Sequence, residues 1–446
     1  MKTLRGYQRD MMRYQLNYDK WALFVHMRLG KTLTTIRWAK LTDARRILVA
    51  APYSALLGWE ETLTEENESW FPLYGTPKQV AAVIENSAPF ATESKREWYL
   101  VNHQGYQREG STLACFRWDA VIIDESTVIK SPKANVTKFW LKHFTGVKYR
   151  GILSGTPAPE NELEYHEQLR FVDPEILKSD RYYNFRFKHF MQPTSGIGWH
   201  CTRKGRKFIA KRLSEYCFTL QRSDVGMEPT REYVVRSVEL PPSVRKLYDT
   251  ATDELILELQ HETKKTIWDM VAYNWMRQII AGDVEGQRLH SVKIDELNAL
   301  LNGELKGERV VVWCHYKVEL KRVSEEIHRE NKTVSGSIPP AKRNDAERWF
   351  RATENSVLVC QPQCYRHGAN LSCAKTAIYY SSPTGLETRL QTEDRILDVS
   401  DSTPLLIIDI VAKDTVDESI RKGLKKKLNR QELMRSVIDS IKQGNK

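Results

Sequence analysis

Two short strings in this chain of 446 residues combine residue types that handle phosphate groups. In the first, WDAVIIDEST, an apolar run ends in Asp124 and Glu125. A strand with that ending delivers its carboxylates to the C-terminal edge of a parallel sheet, where ligands of open α/β sheets bind. Asp124 can hold a magnesium ion through its water shell there, and Glu125 can polarise the water that attacks a phosphoryl group. The second string, LFVHMRLGKTLTTIRW, runs from an apolar strand through Gly30, Lys31 and Thr32 into a helical pattern. Backbone N–H groups at such a helix start face phosphates, Lys31 reaches the terminal ones, and the Thr32 hydroxyl completes a Mg2+ shell. The full G-x-x-x-x-G-K-S/T loop is not met, because no glycine stands between Leu23 and Arg28. Either string alone also fits an ordinary strand and turn. Strand–GKT–helix followed by strand–Asp-Glu is far more specific.

The elements around these strings must place them on one sheet edge. Up to about residue 170, short runs rich in Val, Ile and Leu (ALFVHM, RILVAAP, WYLVNH, AVIIDE, YRGILSGT) alternate with helical stretches. Such runs predict a parallel sheet covered on both faces. Residues 175–230 are aromatic and basic instead, with RYYNFRFKHFM and then TRKGRKFIAKR. A helical region follows (PPSVRKLYDTATDELILELQHETKK, WDMVAYNWMRQIIAG, KIDELNALLNG), then a second strand series: RVVVWCH, TVSGS, SVLVCQ, TAIYYSS and PLLIIDIVA. The expected class is α/β with two parallel-sheet lobes in tandem. Lobe 1 spans 1–172, an aromatic and basic helical or hairpin insertion 173–232, lobe 2 233–416, and a Lys-rich C-terminal helix 417–446. The run Arg203–Arg212, including Arg203, Lys204, Arg206 and Lys207, is expected as a hairpin pressing on nucleic-acid phosphates. The aromatics of Tyr182–Phe190 are expected mainly to pack on lobe 1, with base stacking as the alternative.

Composition agrees with that picture. Hydrophobic residues at 41% and charged residues at 28% describe a globular chain rather than a fibrous or disordered one. The 68 Lys and Arg against 57 Asp and Glu leave a net charge of +11, which favours a polyanionic partner such as nucleic acid. Seven cysteines without C-x-x-C pairs argue against a disulfide framework or a zinc module. No apolar run approaches the ~20 residues that a membrane helix needs. The start MKTLRGYQRDMMR has no apolar core of a signal peptide. An intracellular, cytoplasmic protein with no membrane partner is expected.

Taken in order, the motifs resemble those of the Swi/Snf-like branch of superfamily 2 helicases, especially compact phage forms. LRGYQ is similar to the adenine-reading motif, with Gln8 pairing the base, and HMRLGKT to motif I. APYSALLGWEETL is similar to motif Ia, which touches the DNA backbone near Ser54. IIDESTVIKSP resembles motif II, and LSGTPAPEN motif III, where Ser154 and Thr156 would couple the ATP state to the DNA path. FTLQRSDV with VELPPSVRKLYD resembles the bridge to lobe 2. RVVVWCHYKVELKRV resembles motif IV, QCYRHGANLSCAKTAIYYSSP motif V, and RLQTEDRI motif VI, with Gln391 and Arg395 directed at the nucleotide. The resemblance implies two RecA-like lobes, ATP and Mg2+ as cofactors, and DNA as partner.

Three positions depart from the family pattern. Arg28 replaces a loop glycine, Tyr365 and Arg366 replace small residues of motif V, and Asp398 stands where motif VI carries a second basic residue. Arg395 must then carry the transition-state charge alone, or Arg366 must compensate. The expected activity is an ATP-dependent helicase on forked, branched or single-stranded DNA, acting as a monomer in replication or recombination in a bacterial or phage-infected cell. The alternatives are a duplex translocase that displaces proteins and a DNA-binding scaffold with a degraded ATP site.

Overall fold

The computed structural model describes residues 3–86, 96–159, 161–192, 198–227, 230–260, 268–284, 286–365, 371–397 and 403–425. The chain divides into two compact units, Met1–Glu228 and Pro229–Lys446.

The first unit begins α1 (Gly6–Leu16), β1 (Lys20–Val25), α2 (Lys31–Lys40), β2 (Arg46–Ala51), α3 (Tyr53–Glu65), β3 (Ser69–Pro72) and α4 (Pro77–Asn86). Next come β4 (Glu97–Asn102), α5 (Tyr106–Cys115), β5 (Ala120–Asp124), α6 (Asn135–Phe144), β6 (Tyr149–Ser154) and α7 (Tyr165–Val172). It closes with α8 (Tyr182–His189), a two-stranded ribbon of β7 (Phe190–Met191) and β8 (His200–Cys201), α9 (Arg203–Tyr216) and β9 (Phe218–Leu220).

Its sheet has the order β3-β4-β2-β5-β6-β1-β9, with every described pairing parallel. Every residue of β2, β5 and β6 is buried, so these strands have no solvent face and read as continuous apolar runs. Alternate residues enter two cores: Leu48 and Ala50 on one face, Ile47, Val49 and Ala51 on the other. Gly151 is required in β6, because a Cβ there would lie 2.2 Å from the Trp21 ring. The C-terminal ends of β1, β2, β5 and β6 lead into the Gly30 loop, Ser54, Asp124-Glu125 and Thr156, so one sheet edge carries four of the motifs.

The second unit runs β10 (Arg231–Val238), α10 (Pro242–Gln260), α11 (Trp268–Ala281), the ribbon β11 (Asp283–Val284) and β12 (Gln287–Arg288), and α12 (Val292–Asn302). It continues with β13 (Val310–Trp313), α13 (Lys317–Glu326), β14 (Asn331–Val334), α14 (Pro340–Ala352), β15 (Val357–Cys360), β16 (Thr376–Tyr379), α15 (Leu386–Glu393), β17 (Leu405–Ala412) and α16 (Val416–Lys425). Its sheet, β10-β17-β16-β13-β15-β14, is parallel as well. The fold is therefore α/β with two parallel-sheet lobes.

Several local expectations change. The basic run from Arg203 is a helix and not a hairpin: Thr202 Oγ1 caps it by accepting from Gly205 N at 2.9 Å, and Ile209 and Arg212 turn inward. The hairpin precedes it, as the ribbon β7–β8. The aromatic and basic segment is not a body of its own, since β9 pairs with β1 and completes the first sheet. Tyr365, one of the departures from motif V, is 1% exposed and packs edge-on against Trp313 at 5.7 Å. Arg366 and Asp398 lie outside the described residues, as does the tail beyond Lys425.

Candidate active site

The loop between β1 and α2 is built around two left-handed residues, Arg28 (φ 65°) and Gly30 (φ 85°). Gly30 caps α2 and accepts from Thr34 N at 3.0 Å. A side chain at Gly30 is barred twice, by its φ and by the Gln8 amide, whose Nε2 would lie 2.2 Å from a Cβ. Gln8 Nε2 donates to Leu29 O (3.3 Å), while its Oε1 accepts from Arg5 N (2.9 Å). The carboxamide thus ties the start of α1 to the loop and keeps one further donor on Nε2 and one further acceptor site on Oε1. Lys31 is buried at 8% exposure, and its Nζ donates to Val25 O (2.8 Å) and His26 O (3.4 Å). Thr32, half-buried, follows in the first turn of α2.

Across the same edge, β5 ends at Asp124. Its Oδ2 accepts from Trp59 Nε1 (2.9 Å), its Oδ1 from Glu125 N (2.9 Å), and its carbonyl meets His103 Nε2 at 2.8 Å. Glu125 turns left-handed (φ 48°), which ends the strand and sets the second carboxylate. Burial and the neighbouring Glu125 push the Asp124 carboxyl up to about 6, against the opposing pull of Trp59 and the Lys31 ammonium. Two buried acids beside one buried lysine leave a net negative pocket that a divalent cation would neutralise. Among the described residues no cluster of three His, Cys, Asp or Glu could hold a metal ion on protein ligands alone. Carboxylate and hydroxyl oxygens, as at Asp124 and Thr32, are hard donors of the kind that suits a magnesium ion with waters and nucleotide oxygens in its remaining positions.

In the second unit Gln391 and Arg395 are both buried, in and just after α15. The helix is fixed by Arg389, which pairs with Glu393 (2.6 Å) and Asp409 (2.6 Å), donates to Ser382 Oγ (2.9 Å) and lies 3.4 Å over the Tyr379 ring. From β10, Arg231 reaches Asp394 (2.8 Å) and Tyr233 reaches Glu393 (2.9 Å).

An SNF2-related domain model matches residues 7–288, and a helicase conserved C-terminal domain model matches residues 292–399. The chain belongs to the SNF2-related family. It is accordingly a DNA-dependent ATPase, the core of an ATP-driven DNA translocase, helicase or remodeller. Protein p41 of Acyrthosiphon pisum secondary endosymbiont phage 1 is 24% identical over 97% of this chain and 98% of its own. The SWI/SNF-related matrix-associated actin-dependent regulator of chromatin subfamily A-like protein 1 of Xenopus tropicalis is 21% identical over 96% of this chain. The chain spans 44% of that protein's length. A solved structure, the Sulfolobus solfataricus SWI2/SNF2 ATPase core in complex with dsDNA, aligns over 99% of this chain and 95% of its own, with 18% identity and a TM-score of 0.45.

Within this SNF2-family site, four side chains to which the motif reading gave no role hold the candidates in place. Trp59 and His103 fix Asp124, as above. Gln168, fully buried on α7, accepts from Ser126 Oγ (2.6 Å) and donates to Pro157 O (2.6 Å) and Glu164 O (2.8 Å), so it joins motif II to motif III. Arg222 donates from Nε and Nη2 to Met27 O at 3.3 and 3.2 Å. Trp59 and Arg222 stand inside motif-like strings, but nothing in the local sequence gives the partner of any of the four, since each acts across a long separation. Of the candidates for DNA contact, Ser54 and Thr156 share the sheet edge of the acids and the four cations stand on α9. Ser54 is in the first turn of α3, Thr156 N donates to Ser154 Oγ (3.2 Å), and Arg203, Lys204, Arg206 and Lys207 are exposed on α9. Arg206 is tied by Glu162 at 2.6 Å to the segment after motif III.

Proposed function

We propose that this SNF2-family ATPase is a helicase acting on forked, branched or single-stranded DNA in replication or recombination, working as a monomer in the cytoplasm of a bacterial or phage-infected cell. In this reading Gln8 and Gln391 hold the nucleotide, the Gly30 loop and Lys31 take the phosphates, and Thr32 and Asp124 carry Mg2+. Glu125 orients the attacking water and Arg395 offsets the charge of the transferring phosphoryl group. A magnesium ion held there would supply neutralisation of phosphate charge. Ser54, Thr156 and the cations Arg203, Lys204, Arg206 and Lys207 contact the DNA backbone. The observation that carries the reading is the meeting of Lys31, Asp124 and Glu125 at one sheet edge, close enough for Lys31 and Glu125 to shift Asp124 in opposite directions. That same meeting argues against a scaffold with a degraded ATP site. The end-to-end match to a phage protein supports the phage-type setting.

ATP turnover measured in parallel with single strands, duplex, forks and four-way junctions tests the proposal. Forks and junctions should stimulate most, and Lys31→Ala and Glu125→Gln should abolish the stimulation. Parent-rate hydrolysis by both variants would reject the assigned site. Stimulation by blunt duplex alone, with triplex displacement but no strand separation, would favour the second reading, a duplex translocase that displaces proteins. That reading gains support from relatives whose names refer to chromatin. Replacing Arg203, Lys204, Arg206 and Lys207 with Ala should flatten the salt dependence of DNA binding by a few units.

A further inference from the structure

The aromatic run on α8 splits by burial. Phe185, His189 and Phe190 face inward, and His189 stacks on Phe208 of α9 at 4.6 Å and 10°. Tyr183, Phe187 and Met191 point outward at 47%, 66% and 57% exposure. Among the described residues no other stretch of this length exposes three large apolar side chains; Leu16 and Tyr18 come nearest. Tyr183 and Phe187 stand four residues apart and so share one helix face. Arg186 is laid flat beside them, with its guanidinium 4.2 Å from the Trp199 ring, 5.0 Å from Tyr183 and 5.1 Å from Phe187. Phe187 meets Trp199 edge-on at 5.4 Å. Arg186 forms no ion pair among the described residues, so the rings alone hold this cation.

This face adjoins a row of unpaired cations. His189 O accepts from both Thr202 N (2.9 Å) and Thr202 Oγ1 (3.0 Å), which brings the end of α8 onto the start of α9. The approach needs Gly205, because a Cβ there would lie 2.3 Å from His189 O. Lys188 and Arg203 each stand one residue from that backbone contact. Lys188, Arg203, Lys204 and Lys207 are exposed and form no ion pair among the described residues. The first turn of α9 holds cations and no acid, opposite to what the helix dipole favours. A polyanion laid across this end would relieve that arrangement.

We propose that the outward face of α8, Tyr183 and Phe187 with the Arg186–Trp199 stack, is a platform for unpaired bases, and that Lys188, Arg203, Lys204 and Lys207 hold the phosphates of the same single strand. The inference rests on the DNA-motor reading and sharpens it to single-strand arms. Cations alone would suit duplex phosphates, and exposed rings alone would suit a protein. Only a strand with free bases offers π faces and phosphates together, because duplex bases are stacked on one another. Stacking on an exposed ring is worth about tenfold or more in affinity per base.

The test uses the full-length protein with four labelled probes: a dT oligonucleotide, an abasic oligonucleotide of equal length, a fork and a blunt duplex. The parent should bind dT at least about tenfold more tightly than the abasic strand, which keeps the phosphates and lacks the bases. Tyr183→Ala with Phe187→Ala should erase that preference and weaken fork binding, while blunt-duplex affinity stays within about twofold. Phe187→Trp should retain the preference. No preference in the parent, a preference that survives the double substitution, or equal weakening on abasic, dT and duplex probes would each overturn the platform. So would a change in oligomeric state by light scattering in the double variant, which would make the face a contact between copies. Failure of the motor reading is seen separately, as ATP turnover that no DNA stimulates.

Discussion

The nucleotide candidates of the first unit and motif VI of the second are buried to similar degrees but organised by different means. In the first, Lys31 and Asp124 are held by backbone close at hand, the Val25 and His26 carbonyls and Glu125 N, with Gln8, Trp59 and His103 adding ties from further along the chain. In the second, α15 is aligned by an ion network that draws Arg231 and Tyr233 from β10 and Asp409 from β17 onto Arg389, Glu393 and Asp394. Local backbone cradles are written in short strings. A charge network is assembled from strands far apart in the chain, so its loss should act on stability and geometry together.

The largest expected effect is at Arg395. A well-placed arginine beside the transferring phosphoryl group is worth about 10³–10⁵ in rate. Arg395→Ala should cost DNA-stimulated ATP turnover on that scale while leaving DNA affinity largely intact, as single-turnover and binding assays would read. If Arg366 shares the charge, the loss in Arg395→Ala is partial and adding Arg366→Ala completes it. Near-normal turnover in the double variant would mean that the second unit supplies its charge from elsewhere.

Next is Arg389→Met, which leaves Asp409 buried without its cation and Glu393 with Arg231 alone, at 3.6 Å. Breaking a buried pair in this way costs about 3–5 kcal/mol. Thermal unfolding should show the second unit melting earlier, with turnover falling in parallel. Unchanged stability would show that the network is only a surface convenience. A smaller loss, about 1–3 kcal/mol, is expected for Gln168→Leu, which strands the Ser126 hydroxyl and the Pro157 carbonyl in the interior. If Gln168 positions motif III against motif II, coupling should also suffer: basal turnover persists while DNA stimulation drops. Equal loss of both would reduce Gln168 to a packing residue.

Legibility in the sequence followed the same division. The strands carrying motifs were readable because burial on both faces makes them continuous runs, as in RILVAA and AVIID. β10 is not legible as a strand: it lies at the sheet edge, largely exposed or half-buried, so REYVVRSV carries polar residues and no continuous apolar run. β9, three residues long, gives no periodicity to detect. The basic run misled because clustered cations say nothing about backbone, whereas the Thr202 cap and the inward Ile209 and Arg212 decide for helix. Gln8, Lys31, Asp124 and Glu125 could be picked from strings. The roles of Trp59, Gln168 and Arg222 could not, since their partners lie 65, 42 and 195 residues away.

The smallest expected effect sharpens the contrast at the two departures from the family pattern. Tyr365 has been absorbed into the second unit's core against Trp313, so a small residue there would leave a cavity. Arg28 has not been absorbed in that sense: it holds φ 65° in a loop whose other left-handed residue is a glycine. A left-handed non-glycine residue costs roughly 1–2 kcal/mol, while a glycine adds about 0.5–1 kcal/mol of unfolded-state entropy. Arg28→Gly should therefore stabilise the first unit by about 0.5–1 kcal/mol, a rise of a few degrees in Tm. Arg28→Ala keeps the Cβ and the strain, so it isolates the contribution of the side-chain contacts. If Arg28→Gly gains nothing while Arg28→Ala destabilises, those contacts, and not the backbone, hold the loop. If Arg28→Gly gains stability but loses nucleotide affinity, the strained backbone is what aims Lys31, and the first unit keeps its strain at the phosphate cradle while the second hides its own departure in the core.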